Sequence, residues 1–157
     1  MAEVKTISTQ KILAGLLVTA VFFALVYAVF YLATLEIKPV IYIGDKKIEV
    51  ELAQTEVERY QGLSNRKTLD QNNGMLFVFD GYYIPTFVMR DMLFSIDIIW
   101  IKDDMVVGFE KNMPRSELDK DLIAYQPKNF INYVLEVNAG FVEQNNIKIG
   151  DKVVIGN

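Results

Sequence analysis

Ile96-Asp-Ile-Ile-Trp-Ile-Lys102, then Asp103-Asp104, then Met105-Val-Val-Gly-Phe109 is the stretch that decides the fold. β-Branched and aromatic residues fill both runs, and two turn-forming aspartates separate them, so the segment reads as a strand, a turn and a returning strand. Working outward, Val40-Ile-Tyr-Ile43, the pair Gly44-Asp45 and Ile48-Glu-Val-Glu-Leu52 read as a hairpin. In its second strand Ile48, Val50 and Leu52 share one face and Glu49 and Glu51 the other. Thr55-Glu-Val-Glu58 has capping-box spacing and should open a short helix ending near Gly62. Gly74-Met-Leu-Phe-Val-Phe79, Thr86-Phe-Val-Met89, Tyr133-Val-Leu-Glu-Val137 and Lys152-Val-Val-Ile155 supply further strands, with a second short helix near 141–144. Seven or eight short strands and two brief helices predict a mainly β (α+β) domain, a compact antiparallel barrel or sandwich.

A second feature stands apart from this domain. Residues 12–35 carry no charge, and only Gly15, Thr19 and Thr34 fall outside the apolar set. A helix apolar all round needs lipid or a large core, and at about 1.5 Å per residue this run exceeds a hydrocarbon layer of roughly 30 Å. A cleaved signal peptide should be shorter and end at a small-x-small site, whereas Tyr31 and Leu32 occupy the positions that should be small. The expected layout is therefore a tail over 1–11, an uncleaved membrane anchor over 12–35, a linker and first strand over 36–47, and a β-rich domain over 48–155. Lys5 and Lys11 before the anchor and Lys38, Lys46 and Lys47 after it do not decide orientation by charge. A short tail, one anchor and a folded domain together favour a cytoplasmic N-terminus with the domain outside. The anchor has no Gly-x-x-x-Gly pattern to drive pairing of helices.

Composition narrows the chemistry. The 157 residues contain no His and no Cys, which excludes His/Cys zinc sites, Ser-His-Asp and Cys-His nucleophiles, and disulfides. Residues 1–35 hold only Glu3, Lys5 and Lys11 as charged groups, leaving 14 Lys and Arg against 19 Asp and Glu in the remainder. An acidic domain cannot neutralise phosphates in bulk, so no nucleic-acid partner is expected. The aspartates at 103, 104, 119 and 121 lack the spacing and central Gly of a calcium loop, and no Gly-Lys-Ser/Thr phosphate loop occurs. No cofactor or metal is therefore assigned.

The polar residues that need explaining are two carboxylates inside strands. Asp97 alternates with Ile99 and Ile101, and Glu136 alternates with Val134, so both should lie on apolar faces. Such a carboxylate is costly unless paired or hydrogen-bonded, and Arg59, Arg66 and Arg90 are the candidate bidentate partners. Either these groups form a polar site able to hold a small polar ligand, or they form an internal ion-pair network joining helix to sheet. Tyr82, Tyr83, Phe87 and Trp100 could line a groove or fill the core. Residues 111–132, polar and containing Pro114 and Pro127, read as a lid or as a solvated connection with a short strand near 122–125.

The order of these motifs resembles the uncharacterised family called domain of unknown function 192. The resemblance rests on Val50-Glu-Leu-Ala-Gln-Thr-Glu-Val-Glu-Arg-Tyr-Gln-Gly-Leu63 with Arg66 and Leu69, on Gly74-Met-Leu-Phe-Val-Phe79, Phe87-Val-Met89, Ile96-Asp-Ile-Ile-Trp-Ile101 and Pro114, and on Tyr133-Val-Leu-Glu-Val-Asn-Ala-Gly140 with Ile149-Gly-Asp-Lys-Val153. It spans about residues 48–155 and implies a compact β-rich domain, often behind an N-terminal signal or anchor, with no established activity. Arg59, Arg66, Asp97 and Glu136 match the family pattern and form the candidate site. Ser64 stands where the pattern has Met, Val88 where it has Trp, and Asp91-Met92 where it has Asn-Thr. If the family's pocket lies near that Trp and Thr, this member has changed it.

Two functions follow. The first is an anchored extracytoplasmic ligand-binding or structural module of the cell envelope, with no catalytic residue. The alternative is a hydrolase or transferase acting on an envelope glycan or peptide, with Asp97 and Glu136 as general acid and base. Carboxyl groups about 5–10 Å apart across an open cleft would favour that alternative.

Overall fold

The structure, a computed structural model, describes residues 9–33, 38–115 and 122–156. They fall into two compact units, Met1–Ile37 and Lys38–Asn157.

The first unit contains helix α1, Thr9–Ala33. Within it Leu13–Leu32 is 20 residues long and apolar enough to cross a membrane. The Thr19 hydroxyl donates to the Leu16 carbonyl (2.9 Å), so this polar side chain in the span finds its partner within its own helix.

The second unit is mainly β: β1 Val40–Ile43, β2 Lys46–Ala53, α2 Glu56–Gln61, β3 Asn73–Tyr83, β4 Phe87–Val88, β5 Ile96–Lys102, β6 Met105–Met113, β7 Ala124–Tyr125, β8 Ile131–Asn138, α3 Phe141–Gln144 and β9 Val153–Gly156. Seven strands form one curled sheet in the order β6-β5-β8-β3-β2-β1-β9, and β4 pairs separately with β7. The two edges of the large sheet meet. Met105 bridges Lys152, Val106 N donates to Asp151 O (3.0 Å), and Val153 N donates to Asp104 O (2.7 Å). These contacts cover one end of each strand edge that an open sheet exposes.

The expected hairpins and both short helices are present, and Thr55 and Glu58 form the reciprocal capping box. One pairing departs from the antiparallel expectation: β2 and β3 run parallel. The chain between them makes α2 and returns to the same end of the sheet, which a parallel neighbour requires. In the stretch 111–132, β6 continues to Met113 and a two-residue strand lies at Ala124–Tyr125, while 116–121 lie outside the described residues.

Alternation along the strands makes two cores. Inside the curl, Ile41, Ile43, Ile48, Val50, Leu76, Ile99, Ile101, Leu135 and Val137 pack together. On the outer face, Ala53, Met75, Phe77, Ile96, Ile98, Trp100 and Val134 pack with Leu63, Met89 and Met92 from the connecting segments. Gly108 sits opposite Trp100, where a Cβ would come within 3.2 Å of the indole, so the missing side chain makes room for the ring. The outer core is the part of the fold that shapes a site.

Candidate functional site

Register fixes where Glu136 points. In β8 it pairs with Met75 of β3 on one side and Ile98 of β5 on the other. Those neighbours belong to the outer core, so Glu136 lies on the outer face of the sheet and is only 7 % exposed. Its Oε2 is buried and has no hydrogen-bond partner among the described residues. Burial pushes the carboxyl up to about 8, with the positive charge of Arg66 pulling the other way. At neutral pH the group is therefore mostly a neutral acid.

That acid forms part of the wall of a cavity of about 330 Å³. Leu63, Phe77, Phe79, Phe87, Val88 and Met92 give it an apolar lining, and Glu56, Arg59, Tyr60, Ser64, Thr86 and Arg90 add polar groups. The volume lies at the small-molecule end of ligand cavities, and an apolar lining with a few polar groups is their usual composition. Its walls are tied together. Asn65 N donates to Asp91 O (2.8 Å), the Ser64 hydroxyl to Arg90 O (2.9 Å), and Arg90 Nη2 to Tyr60 O (2.6 Å). Phe77 and Phe87 meet edge to face at 5.0 Å, and Phe87 packs against Trp100 at 5.6 Å. The segment carrying β4 is thus pinned across α2 rather than draped over it.

The arginines fall into different roles. Arg59 donates to the carbonyls of Gln54 and Val78, the latter at 2.9 Å, and lies 5.3 Å from the centre of the Phe79 ring. Arg90 lies 3.8 Å from the centre of the Tyr60 ring, with Asp91 Oδ2 at 3.8 Å from Nε. Arg66 instead forks onto Glu51 through bonds of 2.6 and 2.7 Å, which holds the Glu51 carboxyl below its ordinary range. Neither strand carboxylate receives the arginine fork expected from the sequence. Glu51 takes the one from Arg66, because the outer face of β2 carries a carboxylate within its reach.

Asp97 has another partner set. It is fully buried, and its carboxylate accepts from the backbone N–H groups of Asn112 (2.7 Å), Gly140 (3.1 Å) and Val142 (2.9 Å). Gly140 is the N-cap of α3 and has no side chain to cap with, so Asp97 supplies that acceptor from a neighbouring strand. Asp97 pairs with Val137 while Glu136 pairs with Ile98, which places the two carboxylates on opposite faces of the sheet. They cannot flank one bond of a bound substrate.

Of the four sequence candidates, the structure brings Arg59 and Glu136 to the cavity, sets Arg66 beside it, and puts Asp97 at the α3 end of the inner core. Phe87 lines the cavity and Trp100 backs it, while Tyr82 lies exposed with its hydroxyl on Asp103 (2.6 Å). Tyr60 and Thr86 were not marked as a site by any local pattern, while Arg90, a candidate partner for the strand carboxylates, also lines the cavity. Ser64, Val88 and Met92 were marked, as departures from the family pattern, and all three line this cavity. A second cleft, of about 350 Å³, is lined by Gln71, Asn72, Asn138, Gln144 and Asn145, but Asn138 and Asn145 already donate to backbone carbonyls. Among the described residues no group of three acidic side chains gathers as a metal site.

Comparison with known proteins agrees with this architecture. The model of the family DUF192, described as "Uncharacterized ACR", matches residues 40–155. A proposed transcription regulator of Sinorhizobium meliloti 1021 has a similar solved structure, with 26 % identity and a TM-score of 0.67, over 75 % of this chain and 92 % of that one. A protein of unknown function from Novosphingobium aromaticivorans DSM 12444 is similar at 31 % identity and a TM-score of 0.67, over 74 % of this chain and 83 % of that one. No curated protein matches.

Proposed function

We propose that this chain, which belongs to the DUF192 family, is a membrane-anchored ligand-binding protein whose β domain faces the outside of the cell. The observation that carries the binding role is the buried, unpartnered Oε2 of Glu136 at the wall of a 330 Å³ apolar cavity. A buried polar atom without a partner costs about 1–3 kcal/mol, and a ligand that supplies the missing acceptor recovers that cost on binding. Helix α1 supports the anchor, since Leu13–Leu32 has the length and composition to span a bilayer. A binding role is favoured over hydrolysis because Asp97 is spent on three backbone N–H groups on the other face of the sheet.

Two measurements test this reading. The chain has no Cys, so Asp45→Cys in the exposed β1–β2 turn gives a single thiol for topology. A membrane-impermeant maleimide should label it in intact cells; labelling only after permeabilisation would place the domain in the cytoplasm. For the cavity, the full chain in lipid nanodiscs is screened by thermal shift against organic acids, alcohols, amines and sugars. A shift from one class, lost in Val88→Trp, which puts an indole into the cavity, supports binding there. Shifts that Val88→Trp leaves unchanged would move the site elsewhere.

A further inference from the structure

The charges around the cavity are uneven, and they narrow what it would take. Arg59 and Arg90 both line it, against Glu56 on the solvent side and Glu136 at the wall. Each guanidinium is anchored by backbone carbonyl bonding and an aromatic ring, Arg59 on Gln54 O, Val78 O and Phe79, Arg90 on Tyr60 O and the Tyr60 ring. These anchors use only some of the five N–H donors of each group. Among the described residues no carboxylate pairs with Arg59 within 4.0 Å, and Arg90 has only the long 3.8 Å approach of Asp91. Two held, incompletely paired guanidinium groups at an apolar cavity have the chemistry that an anion attached to an apolar body needs.

We propose that the ligand is a small organic acid, its carboxylate held by Arg59 and Arg90 and its apolar body lying against Phe77, Phe87 and Met92. The inference rests on the cavity being a binding site, as argued above, and adds the class of molecule. Glu136 contributes as a neutral acid, donating to an acceptor on the inner part of the ligand. Its neutrality matters, because an ionised Glu136 would repel the bound anion. A cationic ligand would meet the opposite balance: two guanidinium groups opposing it, and a proton to be removed from Glu136 before an ion pair could form. Electrostatics across the cavity therefore rank acid above alcohol above amine.

The test is equilibrium dialysis at pH 7 of hydrocinnamate, its matched alcohol and its matched amine against the full chain in nanodiscs, with empty nanodiscs subtracted. The acid should bind about ten- to a hundredfold more tightly than the alcohol, the size expected of hydrogen bonds to charged groups. The double variant Arg59→Met, Arg90→Met should abolish the acid's advantage, bringing acid and alcohol to equal affinity. The ranking on the wild-type protein stands by itself should that variant fold poorly. Saturable binding in which the amine or the alcohol equals or exceeds the acid, while Val88→Trp abolishes all three, overturns the ligand class and leaves the cavity a binding site. Absence of saturable binding by all three, or binding that Val88→Trp does not change, overturns the cavity itself.

Discussion

Glu136 should make the domain lose stability as pH rises, and Glu136→Gln should remove that dependence. The unfolded carboxyl titrates near 4.5, whereas in the folded domain burial carries it to about 8. Below pH 4.5 both states hold the proton and the group costs nothing through ionisation. Between 4.5 and 8 the unfolded chain releases the proton and the folded chain keeps it. Stability then falls by about 1.4 kcal/mol per pH unit, and above 8 the loss levels off. The shift of about 3.5 units gives a full penalty of about 5 kcal/mol, of which about 3 kcal/mol is already present at pH 7. Glutamine keeps the shape and the donor but cannot ionise.

Pulse proteolysis in urea suits a chain with a helix apolar enough to span a membrane, because it reports the fraction unfolded on the full chain. Wild type and Glu136→Gln should have similar midpoints at pH 4.5 and diverge steadily up to pH 8, with the variant the more stable. The charged groups near Glu136 are Arg66, whose field lowers its pKa, and Arg59, Arg90 and Glu56 around the cavity. Glu136→Gln removes only the one carboxyl from this set, so a divergence across this window belongs to that carboxyl. Parallel midpoint curves for the two proteins would refute the reasoning, and so would a variant that is the less stable at pH 8.

Three further substitutions separate the roles of the neighbouring residues. Asp97→Asn replaces an oxygen that accepts backbone N–H bonds with an amide donor, and should cost about 3 kcal/mol or more in urea unfolding without changing ligand affinity. Arg66→Met breaks a half-exposed pair with Glu51 and should itself cost about 1 kcal/mol or less, yet it removes the charge opposing the shift of Glu136. Its stability should therefore begin to fall at the same pH as wild type and keep falling to a higher pH. Gly74→Ala places a Cβ 2.7 Å from the backbone oxygen of Glu136, so β3 and β8 must move apart. We expect a loss of about 1–3 kcal/mol, measured by the same urea series, together with weakened binding in the cavity.

The strands were legible because their signals are local. The hairpin at 96–109 shows in β-branched runs around a turn, α2 in its capping box, and α3 in the same four residues that the sequence indicated. The parallel β2–β3 pair and the closure of β6 against β9 were not legible, since both depend on which edges meet after the chain curls. The cavity was legible only in fragments. Its lining comes from α2, β3, the β4 segment and β8, and no single stretch carries a recognisable spacing. Arg90 is the clearest case: the sequence offers it as a partner for the strand carboxylates, whereas in the fold it bonds the Tyr60 carbonyl and stacks on the Tyr60 ring at the cavity.

The two strand carboxylates show how far alternation can be taken. Each sits among apolar partners in its own strand, so the sequence assigns both to a buried face and gives them the same problem. What it cannot supply is whether those faces are the same, because that depends on register: Asp97 opposes Val137 while Glu136 opposes Ile98. A shift of one residue between β5 and β8 would put both carboxylates on one face. With the observed register, Asp97 meets three backbone donors and is fully used, whereas Glu136 meets Met75 and Ile98 and is left without a partner. The fold solves one buried acid with its own backbone. For the other, no partner lies among the described residues, and that makes Glu136, rather than the pair, the group to follow.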